Sequence, residues 1–303
     1  MLAGCCDYYC HFGRAVVACW GLLCHTTRFA VEQLHSSRLM NQRIPKSIHP
    51  TLENYLSLVK GQLPDLMSAF YIVGSIALDG FNERFSDIDF VAVLNRRATS
   101  TDIENLYHIH RVIDKNYPRW KMSGSYLQAN DLGHFDDDVE LHPACHDGVL
   151  RPAEHFELNS VTWWILKNHG IAMMGSELQE LSFIVDWNLL ITRMRENLNT
   201  YWVSYTKRPG RIVSTLSDWG VQWTVLGVLR QFYTFRENTI TTKEKAGAYA
   251  LSYVPTRWHR LIREAINIRE GKKPSAYRLR IARTIKVVSF TRYIIQTCNA
   301  GCT

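Results

Sequence analysis

The sequence predicts an α/β domain, a small mixed sheet with flanking helices, followed by an all-α helical bundle. Three observations carry this. Two apolar runs, Phe70 to Val73 and Phe90 to Leu94, bracket a segment with Gly74-Ser75 at one end and Asp87-Ile88-Asp89 at the other. That pattern reads as strand, tight turn, short helix or loop, strand. From about residue 180 the texture becomes almost continuous helical periodicity. At 303 residues, the chain is long enough for about two domains, each with its own core.

Apolar content of 46% and charged content of 21% are those of a globular protein. No segment reaches the roughly 18 apolar residues of a spanning helix; Ala15 to Cys24 comes nearest. Five of the eight cysteines, Cys5, Cys6, Cys10, Cys19 and Cys24, sit in the first 24 residues. Their spacing fits no zinc finger or ribbon. Leu2-Ala3-Gly4-Cys5 imitates a lipoprotein cleavage box, but only Met1 precedes it, where a basic region and an apolar core are required. Cys145, Cys298 and Cys302 are ordinary usage for a reducing cytoplasm, the expected location. Composition shifts at Met40. Residues 1–39 are therefore expected to be a non-native or disordered extension, residues 40–180 the α/β domain and residues 181–303 the helical domain.

Within the α/β domain, Leu52, Tyr55, Leu56 and Val59 form a helical stripe over Thr51 to Gly61. The two strands of the opening pattern follow. Thr101, Asp102 and Glu104 open a helix that closes near Asn116, before Pro118. Lys121 to Ala129 alternates as a third strand. His134 to Gly148, rich in Asp, His and Pro, reads as an irregular loop. Val161 to His169 is a compact apolar helix, and Ile171 to Met174 a short apolar run. In the helical domain the expected helices are Asp186 to Tyr205, Trp219 to Phe235, Lys243 to Leu251, Arg257 to Arg269 and Ala276 to Cys298. Breaks fall at Pro209-Gly210, Pro255, Gly271 and Pro274.

The first two strands carry the chemistry. Gly74 lets the backbone turn sharply and approach a ligand, and Ser75 with the following amides suits a phosphate. Side chains on a strand alternate faces, so Asp87 and Asp89 share one side while Ile88 enters the core. Two such carboxylates repel unless a cation neutralises them, and hard oxygen donors suit Mg²⁺ carrying a nucleoside triphosphate. Charge is asymmetric. Residues 181–303 hold 20 Lys+Arg against 7 Asp+Glu, +13 in a chain whose total is +7. A solvated face is the plain reading of that excess, and a phosphate or nucleic-acid surface the sharper one.

Gly74-Ser75 followed by Ser86-Asp87-Ile88-Asp89 resembles the nucleotidyltransferase superfamily signature. With His169-Gly170-Ile171-Ala172-Met173-Met174-Gly175, Leu229-Arg230-Gln231-Phe232-Tyr233, Lys243-Glu244 and Ala250-Leu251, residues 50 to 297 resemble the aminoglycoside nucleotidyltransferases of the streptomycin/spectinomycin adenylyltransferase type. The resemblance implies transfer of AMP from ATP, with Mg²⁺, to a hydroxyl of an aminoglycoside-like small molecule. Gly74, Ser75 and Ser86 would then bind the nucleotide, Asp87 and Asp89 the metal, and Arg230 and Lys243 the phosphates from the second domain. The sequence departs from the family where a third carboxylate opens the third strand, because Ser123 stands there; Glu140 is the nearby loop candidate for the base. Asp218 and Trp219 are candidates for the acceptor pocket, with Trp223, Trp163 and Trp164. The alternatives are another acceptor (a nucleotide, nucleic acid or protein) and an ATP-binding protein impaired by the missing carboxylate.

Overall fold

Six strands form one sheet in the order β5-β4-β3-β2-β1-β6. They are β1 (Met67–Ile72), β2 (Ile88–Leu94), β3 (Met122–Gln128), β4 (His142–His146), β5 (Val149–Glu154) and β6 (Ile171–Met174). Only β2 and β3 pair in parallel; every other neighbour is antiparallel. The computed structural model describes residues 41–156, 158–272 and 275–301, so the expectation for residues 1–39 lies outside the described residues. The described residues from Arg43 onward form one compact unit.

Helices α1 (His49–Gln62), α2 (Gly74–Ala77), α3 (Ser100–Asn116) and α4 (Ser160–His169) complete the α/β half. A parallel β2–β3 pair needs a crossover, and α3 supplies it. Thr99 starts that helix with a capping box: its Oγ1 accepts from Asp102 N while the Asp102 side chain accepts from Thr99 N. One sheet face packs Phe70, Phe90 and Tyr126 against Tyr55 of α1 and His110 of α3, with ring centroids 5.1 to 6.2 Å apart. The other face offers Tyr71, Val91, Val93 and Leu127 to Trp163 and Leu166 of α4. Both faces are covered, which is why these strands read as apolar runs.

The helical half contains α5 (Trp187–Asn197), α6 (Val203–Lys207), α7 (Pro209–Ser214), α8 (Asp218–Glu237), α9 (Lys243–Ala250), α10 (His259–Arg269) and α11 (Arg280–Asn299). Helix α8 is its axis, with Val221, Val225, Leu226, Val228, Leu229 and Phe232 all buried among α9, α10 and α11. Its N-terminus is capped by Ser217, whose Oγ accepts from Gly220 N at 3.0 Å. Among the described residues no helix is long and apolar enough to cross a membrane.

Two sequence expectations are corrected and one is met. The segment read as a loop from His134 to Gly148 contains β4 and turns into β5. Its partners are remote, Cys145 beside Gly124 and Ala144 beside Ser125, and Pro143 with two histidines masks the strand pattern. The helix expected over Asp186 to Tyr205 is interrupted by a π-turn at Leu198–Trp202. There Asn199, Thr200 and Ser204 side chains donate back to the carbonyls of Arg195, Glu196 and Tyr201, the type of bond that competes with regular helix. The break expected at Pro209-Gly210 is present: α6 ends at Lys207, Arg208 is extended, and Pro209 opens α7 as its first residue.

Candidate active site

The chain turns out of β1 at Gly74, which has φ +62°. A β-carbon on Gly74 would lie 1.8 Å from Asp89 Oδ2, so only glycine admits the Asp89 carboxylate here. Ser75 Oγ donates to Ser86 Oγ at 3.1 Å, and Asn82 N donates to the same Ser86 Oγ at 2.9 Å. These bonds fold residues 78–86 back against the turn. Asn82 Nδ2 then reaches the helical half, donating to Arg269 O at 3.1 Å. Gly80 lies on Thr242, where a β-carbon would meet Thr242 Cγ2 at 2.2 Å.

This stitching closes a cleft of about 330 Å³ between the sheet end and the helices. All seven residues expected to bind nucleotide or metal line it: Gly74, Ser75, Ser86, Asp87, Asp89, Arg230 and Lys243. Asp89 shares the sheet face of Val91 and Val93, the face that α4 covers. Burial pushes the Asp87 carboxyl above the usual carboxylate range. A backbone hydrogen bond, the Lys243 charge and the Ser123 hydroxyl oppose that rise, while Asp147 adds to it.

Lys243 is the first residue of α9, behind the Thr242 cap, where the helix dipole disfavours a cation. Its Nζ lies over the Trp223 ring, 4.3 Å from the centroid. Burial, then the charges of Arg230 and Arg269, pull its pKa down to about 7, against the opposing pull of Asp87 and Asp89. A cation held under such strain is relieved by an incoming polyanion.

The fit to a metal rests on the donor set. Among the described residues no group of three or more His, Cys, Asp or Glu could hold an ion. The Asp87–Asp89 pair is a partial site of hard oxygens, and Mg²⁺ suits it because that ion keeps waters and substrate phosphates as its other ligands.

The remaining expected residues are placed elsewhere. Glu140 pairs with Arg97 at 2.5 Å and is largely exposed, and it does not line the cleft. Asp218 is engaged by Arg283, Nη1 to Oδ1 2.7 Å, and the same guanidinium bonds buried Glu264. Trp219 stacks on Trp223 with centroids 5.1 Å apart, but of the two only Trp223 reaches the cleft. Trp163 is core, donating from Nε1 to His134 O at 2.8 Å. Ser123 stands opposite Asp89 in the β2–β3 register. It is buried, bonds Asp87, and accepts from Asp147 N at 3.1 Å. Asp147, in the β4–β5 turn, thus lies beside the position where the resemblance implies a carboxylate.

Arg269 was missed from the sequence. It lines the cleft, is 3% exposed, and donates to Glu244 Oε1 at 2.5 Å and Gln222 Oε1 at 3.0 Å. Its guanidinium lies 5.7 Å from the Phe85 centroid. The available signal was its phase: Ile262, Ala265 and Arg269 follow the buried stripe of α10, an unusual place for a cation.

With this geometry in view, the fold is a mixed six-stranded sheet with flanking helices followed by a helical half. Residues 199–296 match the family described as aminoglycoside adenylyltransferase, C-terminal domain. Among solved structures, spectinomycin adenyltransferase AAD(9) from Enterococcus faecialis, determined with ATP and spectinomycin, matches with a TM-score of 0.60 and 15% identity. The match covers 81% of this chain and 98% of that one. No curated protein matches the chain. The resemblance read from the sequence is thus borne out in the fold and in the helical half.

Proposed function

We propose that this protein is a Mg²⁺- and ATP-dependent adenylyltransferase acting on a hydroxyl of a small molecule. One observation carries the reading: a carboxylate pair and a Gly-Ser turn from the sheet share one cleft with Arg230, Lys243 and Arg269 from the helices. Asp87 and Asp89 would hold Mg²⁺, which supplies charge neutralisation on the phosphates. Ser75 and Ser86 offer hydroxyls to phosphate oxygens, and the three cations balance charge on departing pyrophosphate. In the transfer, the acceptor oxygen bonds the α-phosphorus, the α–β phosphoanhydride bond breaks, pyrophosphate leaves and the hydroxyl proton is lost. We assign that proton to Asp147, whose backbone N–H bonds Ser123 and whose charge acts on Asp87. Its side chain is largely exposed and outside the cleft lining, so it would have to turn inward when the acceptor binds. Aminoglycoside-like acceptors are what the family match and the spectinomycin-bound relative favour.

A second reading has its own observation. Ser123, where the family has a carboxylate, is a neutral hydroxyl already bonded to Asp87. That favours ATP binding with slow transfer. Incubation with ATP, Mg²⁺ and a panel of hydroxyl acceptors, followed by mass spectrometry, tests the proposal. One acceptor should gain the mass of a single adenylyl group. Binding of ATP without any such gain would leave the second reading standing.

A further inference from the structure

Asn82, between α2 and β2, has every polar group engaged. Its N–H donates to Ser86 Oγ at 2.9 Å, and its carbonyl accepts from Phe85 N and Ser86 N at 3.1 and 2.8 Å. Its side-chain oxygen accepts from Arg84 N at 3.0 Å, while Nδ2 donates to Arg269 O at 3.1 Å and to Glu244 Oε1 at 3.4 Å. The backbone of this residue therefore holds Ser86, and its amide group holds the helical half. That half is shaped to receive it. Arg269 closes α10, and the last carbonyls of a helix lack partners within it, so the Asn82 amide satisfies one of them. Two residues on, Gly271 has φ +72°, and a β-carbon there would lie 2.0 Å from Arg84 Nη1. An amide and a guanidinium thus meet the negative end of the α10 dipole.

At the other end of this connection stands one hydroxyl. A serine oxygen carries two lone pairs and one proton. In Ser86 both lone pairs are taken, one by Asn82 N–H and one by Ser75 O–H at 3.1 Å. The Ser86 proton is left to donate, and Ser86 lines the nucleotide cleft. A hydroxyl whose oxygen is doubly occupied offers a ligand only its proton, which suits an anionic phosphate oxygen.

Resting on the adenylyltransferase reading above, we propose that Asn82 is a positioning residue: by docking residues 78–86 onto the C-terminal end of α10, it fixes Ser86 as a one-way donor to the triphosphate. Asn82 itself does not line the cleft, so it acts through Ser86. Without that docking the Ser86 hydroxyl is free to rotate and to turn a lone pair toward the phosphate, which loses the charge-assisted bond. The amide is required. A carboxylate of the same shape would face the Glu244 carboxylate and the Arg269 carbonyl with no proton to offer.

The test is a double-substitution cycle on the full chain, read by calorimetric titration of ATP with Mg²⁺. Asn82→Ala should weaken ATP about tenfold, the scale of one hydrogen bond to a charged group. Asn82→Asp, of the same shape, should weaken it at least as much. In a Ser86→Ala background the Asn82→Ala change should cost less than about twofold, because the hydroxyl it positions is gone. A merely structural role would give the same loss in both backgrounds. That result would overturn the proposal, as would wild-type affinity in Asn82→Ala or Asn82→Asp. Amide hydrogen exchange of the nucleotide-free protein gives a readout independent of ATP. Asn82→Ala should quicken exchange across residues 78–86, and unchanged exchange there would also overturn the proposal. Absence of Mg²⁺-dependent ATP binding in the wild type sinks the adenylyltransferase reading and the proposal with it, whereas loss of the coupling between Asn82 and Ser86 sinks the proposal alone.

Discussion

Gly74 and Asp89 approach so closely that a β-carbon on Gly74 would fall 1.8 Å from Asp89 Oδ2. Because Gly74 also has φ +62°, alanine there meets two penalties, left-handed backbone strain and displacement of the carboxylate. Gly74→Ala should lower stability by about 1–3 kcal/mol and remove Mg²⁺-dependent ATP binding. Chemical denaturation and calorimetric titration check both. Wild-type nucleotide affinity in this variant would show that the position of Asp89 is immaterial.

Lys243 should tie nucleotide binding to pH. In the folded protein its pKa is about 7, against 10.5 for the ordinary side chain. Below about 7 it is charged in both states and its burial penalty is present in full. Between those values the unfolded chain binds the extra proton, so stability rises with pH. Lys243→Met should flatten that rise, measured by urea midpoints across the range. Phosphate favours the charged form, so ATP binding just above pH 7 should take up protons, visible as a buffer-dependent binding enthalpy. Lys243→Ala should weaken ATP by roughly 1.5–3 kcal/mol, the range for a hydrogen bond to a charged group.

On the far face of the sheet, His110 predicts an acid limb. Burial pulls its pKa from 6.5 down to about 4, and the ring bonds Tyr126 OH at 2.6 Å and lies 3.3 Å from Cys145 Sγ. The unfolded chain takes the proton first. The stability held above pH 6.5 is therefore lost as pH falls toward 4, in all about 3 kcal/mol at about 1.4 kcal/mol per pH unit. His110→Gln should be less stable at neutral pH but lose less on acidification. An equal acid loss in both proteins would place the sensitivity elsewhere.

The proton acceptor is tested by three carboxylate changes. Glu140 is paired with Arg97 outside the cleft, so Glu140→Gln should leave turnover unchanged. Asp147→Asn should reduce kcat by about 10²-fold or more, the usual contribution of a general base, with little change in ATP affinity. Ser123→Glu should raise a slow wild-type rate if the missing carboxylate limits it. A fall in turnover with Glu140→Gln alone would reverse the assignment.

What the sequence made legible was local. Gly74, Ser75, Ser86, Asp87 and Asp89 lie within one strand–turn–strand unit, where period-two alternation and a turn glycine fix their relation. Arg230 and Lys243 came through the family pattern in the helices. What stayed hidden depends on distant partners. Asp218 looked available until Arg283, 65 positions later, engaged it. The β4–β5 hairpin depends on pairing with Gly124 and Ser125, which no local pattern around Pro143 announces. Arg269 is buried because Glu244 and Gln222 receive it, and its helical phase was the only trace of that.

The central claim is nucleotidyl transfer in the cleft of Asp87 and Asp89, and position-specific labelling tests it most directly. With Mg²⁺ and an acceptor, label from the α-phosphorus of ATP should appear in the acceptor, while label from the γ-phosphorus should leave as pyrophosphate. Both should vanish in the Asp87→Asn, Asp89→Asn double variant without loss of fold. Label from the γ-phosphorus on the acceptor, or wild-type transfer by the double variant, would contradict the account.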